Sequence, residues 1–139
     1  MALELARGGE LFDYISQTGE FSEDVARYYF HQLIDALDYM NQKGISHRDL
    51  KPENILMSDE FALKLADFGF GSNQETNISR KGTQAYMAPE IHKGEEYVGI
   101  EVDLFAAGII LYIMMVGRPC FHQAKASDSY YKYMAAGKC

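Results

Sequence analysis

Cysteine is scarce in this chain: Cys120 and Cys139 are the only two among 139 residues. They match neither a disulfide framework nor a zinc-ligand pattern, and they suit a reducing compartment. A basic excess is missing as well. The formal net charge is −7, with six Lys/Arg against thirteen Asp/Glu in residues 1–70 and seven of each in residues 71–139. Nucleic acid as the main partner is excluded by that balance, because neutralising phosphates needs a basic face. A basic peptide or a metal–phosphate complex suits the acidic half better, beside the plainer reading of a solvated acidic surface. No apolar run reaches bilayer length. Leu104 to Val116 is thirteen residues, with Asp103 before it and Arg118 soon after, whereas a span needs about twenty. Met1-Ala2-Leu3-Glu4-Leu5 offers no basic flank and no apolar core of signal-peptide length. Low-complexity tracts, heptads and internal repeats are absent too. The expectation is an intracellular, cytoplasmic globular domain without a membrane span.

What is present supports a single folded unit, with apolar residues at 47% and charged residues at 24%. Gly8-Gly9 followed by Leu11 and Ile15 at i, i+4 predicts a short helix stopped at Gly19. Ser22 is placed to cap the next helix, with Glu23 and Asp24 in its first turn. Phe30, Leu33, Leu37 and Met40 then recur at helical spacing, with Ile34 beside them, until Gly44. After Gly44 the period changes, and Ile45–His47, Ile55–Met57 and Leu63–Leu65 read as short strands. Residues 70–84 show no periodicity and are expected to be a mobile loop. Leu104–Val116 reads as a fully buried central helix ended by Gly117-Arg118-Pro119. Ser127 to Ala136, capped by Ser127 and closed by Gly137, reads as a last helix. The fold class is therefore mainly α with a few short β-strands.

Three motifs carry chemistry. His47-Arg48-Asp49-Leu50-Lys51-Pro52-Glu53-Asn54 follows the long predicted helix, Asp67-Phe68-Gly69 begins thirteen residues after Asn54, and Ala88-Pro89-Glu90 begins twenty-one after Asp67. Singly, Asp49 and Asp67 read as turn formers and Asn54 as a capping residue. As an ordered set they resemble the catalytic loop, the metal-binding motif and the end of the activation segment of eukaryotic-type protein kinases. The resemblance covers essentially the whole chain, from the hinge between the two kinase lobes to a late helix of the larger, C-terminal lobe.

That resemblance implies an enzyme that moves the γ-phosphate of ATP, with Mg²⁺, to a hydroxyl of a protein substrate. Asp49 would be the base and Lys51 a contact to the γ-phosphate, the lysine pointing to serine/threonine rather than tyrosine targets. Asn54 and Asp67 would hold Mg²⁺. Hinge backbone at Glu4 and Ala6 would bond the adenine, with Leu56 and Leu11 packed beneath it and Glu10 close by at the nucleotide and peptide edge. His47, Phe68 and Asp103 match the lower part of the stacked spine of an assembled site. In the activation segment, Thr83 resembles the threonine that contacts the base and the lysine. Ser79 is the better candidate for a phosphate that pairs with Arg48, and Glu90 matches a glutamate that pairs with a late-lobe arginine. Glu10 and Glu53 resemble acidic residues that read arginine upstream of the target, although Ile113 stands where some relatives add another glutamate. Gly-Gly-Glu-Leu-Phe and the overall match look most like the calcium/calmodulin-dependent kinase group.

The departures from the family pattern matter equally. Nothing in the sequence fits a Gly-rich phosphate loop, and neither a Val-Ala-Ile-Lys strand nor its partner helix is present. The expectation is a partial kinase domain over residues 1–139, inactive by itself and prone to associate. The alternative is a non-catalytic truncated kinase that acts as a binding or decoy module.

Overall fold

A computed structural model describes residues 3–137, so the reading of Cys139 lies outside the described residues. Helix α1 (Leu11–Thr18) buries Leu11 and Ile15 and ends at Gly19. Helix α2 (Glu23–Gln42) starts at Ser22, whose hydroxyl accepts from the Val25 amide at 3.5 Å. It turns Leu33, Leu37 and Met40 inward. These are the elements and faces that the spacing of apolar residues predicts.

Strands β1 (Ile55–Met57) and β2 (Leu63–Leu65) form an antiparallel pair with Leu56 opposite Lys64. Ile55 and Met57 point into the core. Leu56, on the opposite face by the two-residue period of a strand, bridges to Glu10. The expected strand at Ile45–His47 does not form. Ser46 makes only an isolated bridge to Ser72. The amides of His47 and Arg48 donate instead to the Asp103 carboxylate, and Arg48 takes a left-handed φ of 65° that ends any extension.

Residues 70–84 are not featureless. Strand β3 (Thr76–Asn77) pairs with β4 (Tyr97–Val98), placing Asn77 opposite Tyr97. Helix α3 (Pro89–Lys93) starts on its proline and stops at Gly94. Helix α4 (Gly99–Val116) begins at Gly99 rather than Leu104. The last helix, α5 (Ser129–Ala135), is capped by Asp128 and not by Ser127. The Asp128 carboxylate accepts from the Tyr130 and Tyr131 amides at 3.0 and 3.1 Å, and it also reaches the His122 amide at 2.9 Å.

The core lies between α2 and α4. Leu33 and Leu37 share one buried cluster with Ala106, Ile110 and Met114, closed by Leu11, Leu50 and Ile55. At 18 residues and a mean hydropathy of 2.0, α4 is long and apolar enough to cross a bilayer by those measures. Its place in the fold reads otherwise, because it packs along α2 and carries the buried Asp103 bonded to two loop amides. Nor is α4 covered on every side as the sequence suggests: Leu104 is 56% exposed, and Tyr112 and Met115 are also exposed. The turn between α1 and α2 seals its end, the Phe21 amide donating to the Met114 carbonyl at 2.7 Å. Gly117 must be glycine there, since a Cβ would sit 2.1 Å from the Gly19 carbonyl oxygen and φ is +72°.

Candidate active site

The site is built outward from α4. Asp103, 1% exposed, projects from the first half of that helix. Its carboxylate accepts from the backbone N–H groups of His47 (2.6 Å) and Arg48 (2.7 Å). Burial pushes the Asp103 carboxyl above the usual carboxylate range, and those two amides pull against it. The loop from His47 to Asn54 is thereby pinned to the most apolar helix of the fold. The His47 ring continues the link. Nδ1 accepts from the Asp49 amide at 3.3 Å, which leaves Nε2 as the donor to the Ala66 carbonyl at 2.8 Å. The ring also lies 4.7 Å from that of Phe68.

Asp49 is buried, with each of its oxygens addressed. Oδ1 accepts from the Thr83 amide (2.7 Å) and the Thr83 hydroxyl (2.8 Å). Oδ2 faces Lys51 Nζ at 3.4 Å and Asn54 Nδ2 at 3.4 Å. Lys51 Nζ also donates to Thr83 Oγ1 at 3.0 Å, which closes a ring of three side chains. Gly82 makes this approach possible: its φ is +117°, and a Cβ would meet the Arg48 carbonyl at 2.6 Å. The expected grouping of Asp49, Lys51, Asn54 and Thr83 is therefore present.

Asp67 arrives from the other side. The Ala66 amide donates to the Asn54 carbonyl at 2.9 Å, so Asp67 follows directly on a residue tied to Asn54. Asp67 is exposed, has φ 60°, and uses Oδ1 to accept from the Gly69 amide at 3.3 Å. Asn54 Nδ2 is committed to the Asp49 carbonyl at 2.9 Å, which leaves the amide oxygen for a cation. An amide oxygen and a carboxylate oxygen are hard donors of the kind Mg²⁺ takes, with phosphates and water completing its shell. Among the described residues no group of three or more His, Cys, Asp and Glu converges to hold a metal by itself. The donor set thus fits an ion brought in with phosphates.

The remaining expected residues divide. Leu56 lies half-buried at the edge opposite Glu10, and Glu4 and Ala6 run in the irregular stretch before it. The Glu4 side chain itself turns to an ion pair with Lys64. Arg48 does reach the activation segment, with Nη1 3.2 Å from Ser79 Oγ. Glu90 lies apart on α3, beside a cavity of about 360 Å³ that it shares with Glu96 and Glu101. No described residue forms an ion pair with it. Glu53 Oε2 is buried and has no hydrogen-bond partner in the protein. The nearby Tyr86 phenol is pushed up, chiefly by burial and then by the Glu53 charge. Ile113 is buried in the core. Sequence reasoning misses Asn77 and Tyr97. Both are buried, Asn77 binds Arg48, and the Tyr97 hydroxyl donates to the Ser79 carbonyl at 2.8 Å. An isolated Asn in a polar loop carries no signal that could have marked it.

A carboxylate held by a threonine and a lysine, with an asparagine amide alongside, is an arrangement able to orient a hydroxyl. The sequence matches the protein kinase domain family over residues 1–137. The chain belongs to that family. It is 44% identical to CBL-interacting protein kinase 26 of Oryza sativa subsp. japonica, over 96% of this chain and 28% of that protein. It is 43% identical to CBL-interacting serine/threonine-protein kinase 8 of Arabidopsis thaliana, over 94% of this chain and 30% of that protein. The chain thus spans about three-tenths of the length of these curated relatives.

Proposed function

We propose that this chain carries the phosphotransfer residues of a serine/threonine protein kinase, with ATP as donor and a protein hydroxyl as acceptor. The observation that supports it most is the double hold of Thr83 and Lys51 on Asp49, beside the oxygens of Asn54 and Asp67. Phosphoryl transfer leaves little covalent work for a protein, so orientation and charge neutralisation dominate. Asp49 Oδ2 accepts the proton of the incoming hydroxyl and aims its oxygen. Lys51 sits where it can meet a phosphate oxygen without leaving Thr83. Asn54 and Asp67 would hold Mg²⁺, which would supply charge neutralisation at the phosphates. A cytoplasmic location is part of the same proposal and rests on the scarcity of cysteine.

Substrates with a basic residue upstream of the target fit the orphaned Glu53 oxygen, which lacks only a donor. Ser79 is the proposed phosphorylation site, its hydroxyl already within reach of Arg48.

The test uses this chain grafted behind the small lobe of one of the relatives above. Asp67→Asn should weaken Mg²⁺-dependent ATP binding by about tenfold or more, since a hard anionic ligand becomes neutral. Glu53→Gln should raise KM for an arginine-containing peptide with kcat held, the mark of lost uniform binding. Unchanged nucleotide affinity in Asp67→Asn would contradict the assignment.

A further inference from the structure

The Arg48 side chain is engaged although Ser79 bears no phosphate. Its Nε donates to the Phe70 carbonyl at 2.7 Å, and its Nη1 donates to Asn77 Oδ1 at 2.6 Å and to Ser79 Oγ at 3.2 Å. One guanidinium thus touches the segment near its start and at two points further along. The Asn77 contact is the shorter of the two on Nη1, and its donor is a charged group, which shortens and strengthens a hydrogen bond. Asn77 is also the better anchored partner, being 6% exposed and paired through its backbone with Tyr97. Its amide orientation is dictated, because a guanidinium only donates and the amide oxygen must face it. The amide nitrogen then turns to the Gln74 carbonyl at 3.4 Å.

We propose that Asn77 is a positioning residue, holding the activation segment onto Arg48, and through Arg48 the loop that carries Asp49, before any phosphate is added. A neutral amide gives the guanidinium an acceptor without taking up its charge. A phosphate on Ser79 therefore strengthens a contact that already exists and does not create it. Arg48 itself supplies the second half of the reasoning. Its left-handed φ of 65° is a strained state for a long side chain, and it persists where its surroundings over-determine it. Asp103 holds its amide from beneath, and Phe70 and Asn77 hold its guanidinium from above. The consequence for catalysis rests on the kinase reading. The ordering of the segment does not.

Amide hydrogen exchange on the unphosphorylated 139-residue chain separates the two. In the wild type, residues 72–80 should exchange at least about tenfold more slowly than in Asn77→Leu. Asn77→Asp, which keeps an oxygen toward Arg48, should protect the segment as well as the wild type does. Ser79→Ala should leave it unchanged, and α2 serves as the internal reference. Retained protection in Asn77→Leu, or equal loss in Ser79→Ala, would overturn the proposal. Should Asn77→Leu loosen α2 as well, Arg48→Lys decides. A lysine cannot span Phe70 and Asn77 together, so selective loss over 72–80 is expected and full protection would overturn the proposal. A wild-type graft without transfer activity would count against the kinase reading and leave these exchange results standing.

Discussion

His92 is a residue whose charge state the fold constrains. Burial holds its ring below the ordinary histidine value, the positive Lys125 adds to that, and a bond to the Gln84 backbone opposes it. Its Nε2 is buried with no partner. The folded chain therefore favours the neutral ring, while the unfolded chain takes up a proton near pH 6.5. Stability should fall as pH drops through that value and be unaffected by His92 above it. Thermal melts of the wild type and His92→Gln at pH 8 and pH 5.5 check this. The variant should gain relative to the wild type at the lower pH. A difference independent of pH would show that His92 is not linked to folding. At this scale the candidate site residues were legible, because Asp49, Lys51, Asn54 and Asp67 stand in an ordered motif set. His92 and Asn77 were not, since their roles come from neighbours distant in sequence.

The elements were legible where packing and local preference agree. Helices α1 and α2 carry capping or stop residues at their ends and an apolar stripe between them, so their faces and limits follow from spacing. Ile45–His47 misleads because three apolar or neutral residues look extended, while the Ile45 amide turns back to the Met40 carbonyl and the amides of His47 and the following Arg48 are claimed by Asp103 from far along the chain. Strand β3 is only two residues long and has no period to detect. At α5, both Ser127 and Asp128 are good capping types, and the structure selects Asp128. Asp128→Ala should lower stability, the usual result of removing a helix cap, and by more than Ser127→Ala does. Ser127→Ala should change it by only a few tenths of a kcal/mol, within the range of surface substitutions. A larger loss in Ser127→Ala than in Asp128→Ala in denaturant melts would return the cap to Ser127.

Across the whole molecule, one apolar helix performs two tasks. Helix α4 makes the core with α2, and through Asp103 it fixes the loop whose next residues are the candidate chemistry. Its outer face leaves Leu104, Tyr112 and Met115 exposed, apolar surface of the kind on which the expectation of association rests. The acidity of residues 1–70 has a visible place in the same picture, with Glu53 Oε2 unpaired close to Tyr86 and Asp67 exposed just after β2. The most direct measurement is γ-phosphate transfer to an arginine-containing serine peptide by the grafted chain at saturating ATP and Mg²⁺, comparing the wild type with Asp49→Asn. With the base removed and its neighbours intact, turnover should fall by about 10²–10⁴-fold while ATP affinity stays within about twofold. Near-wild-type turnover in Asp49→Asn would contradict the assignment of Asp49 as the base.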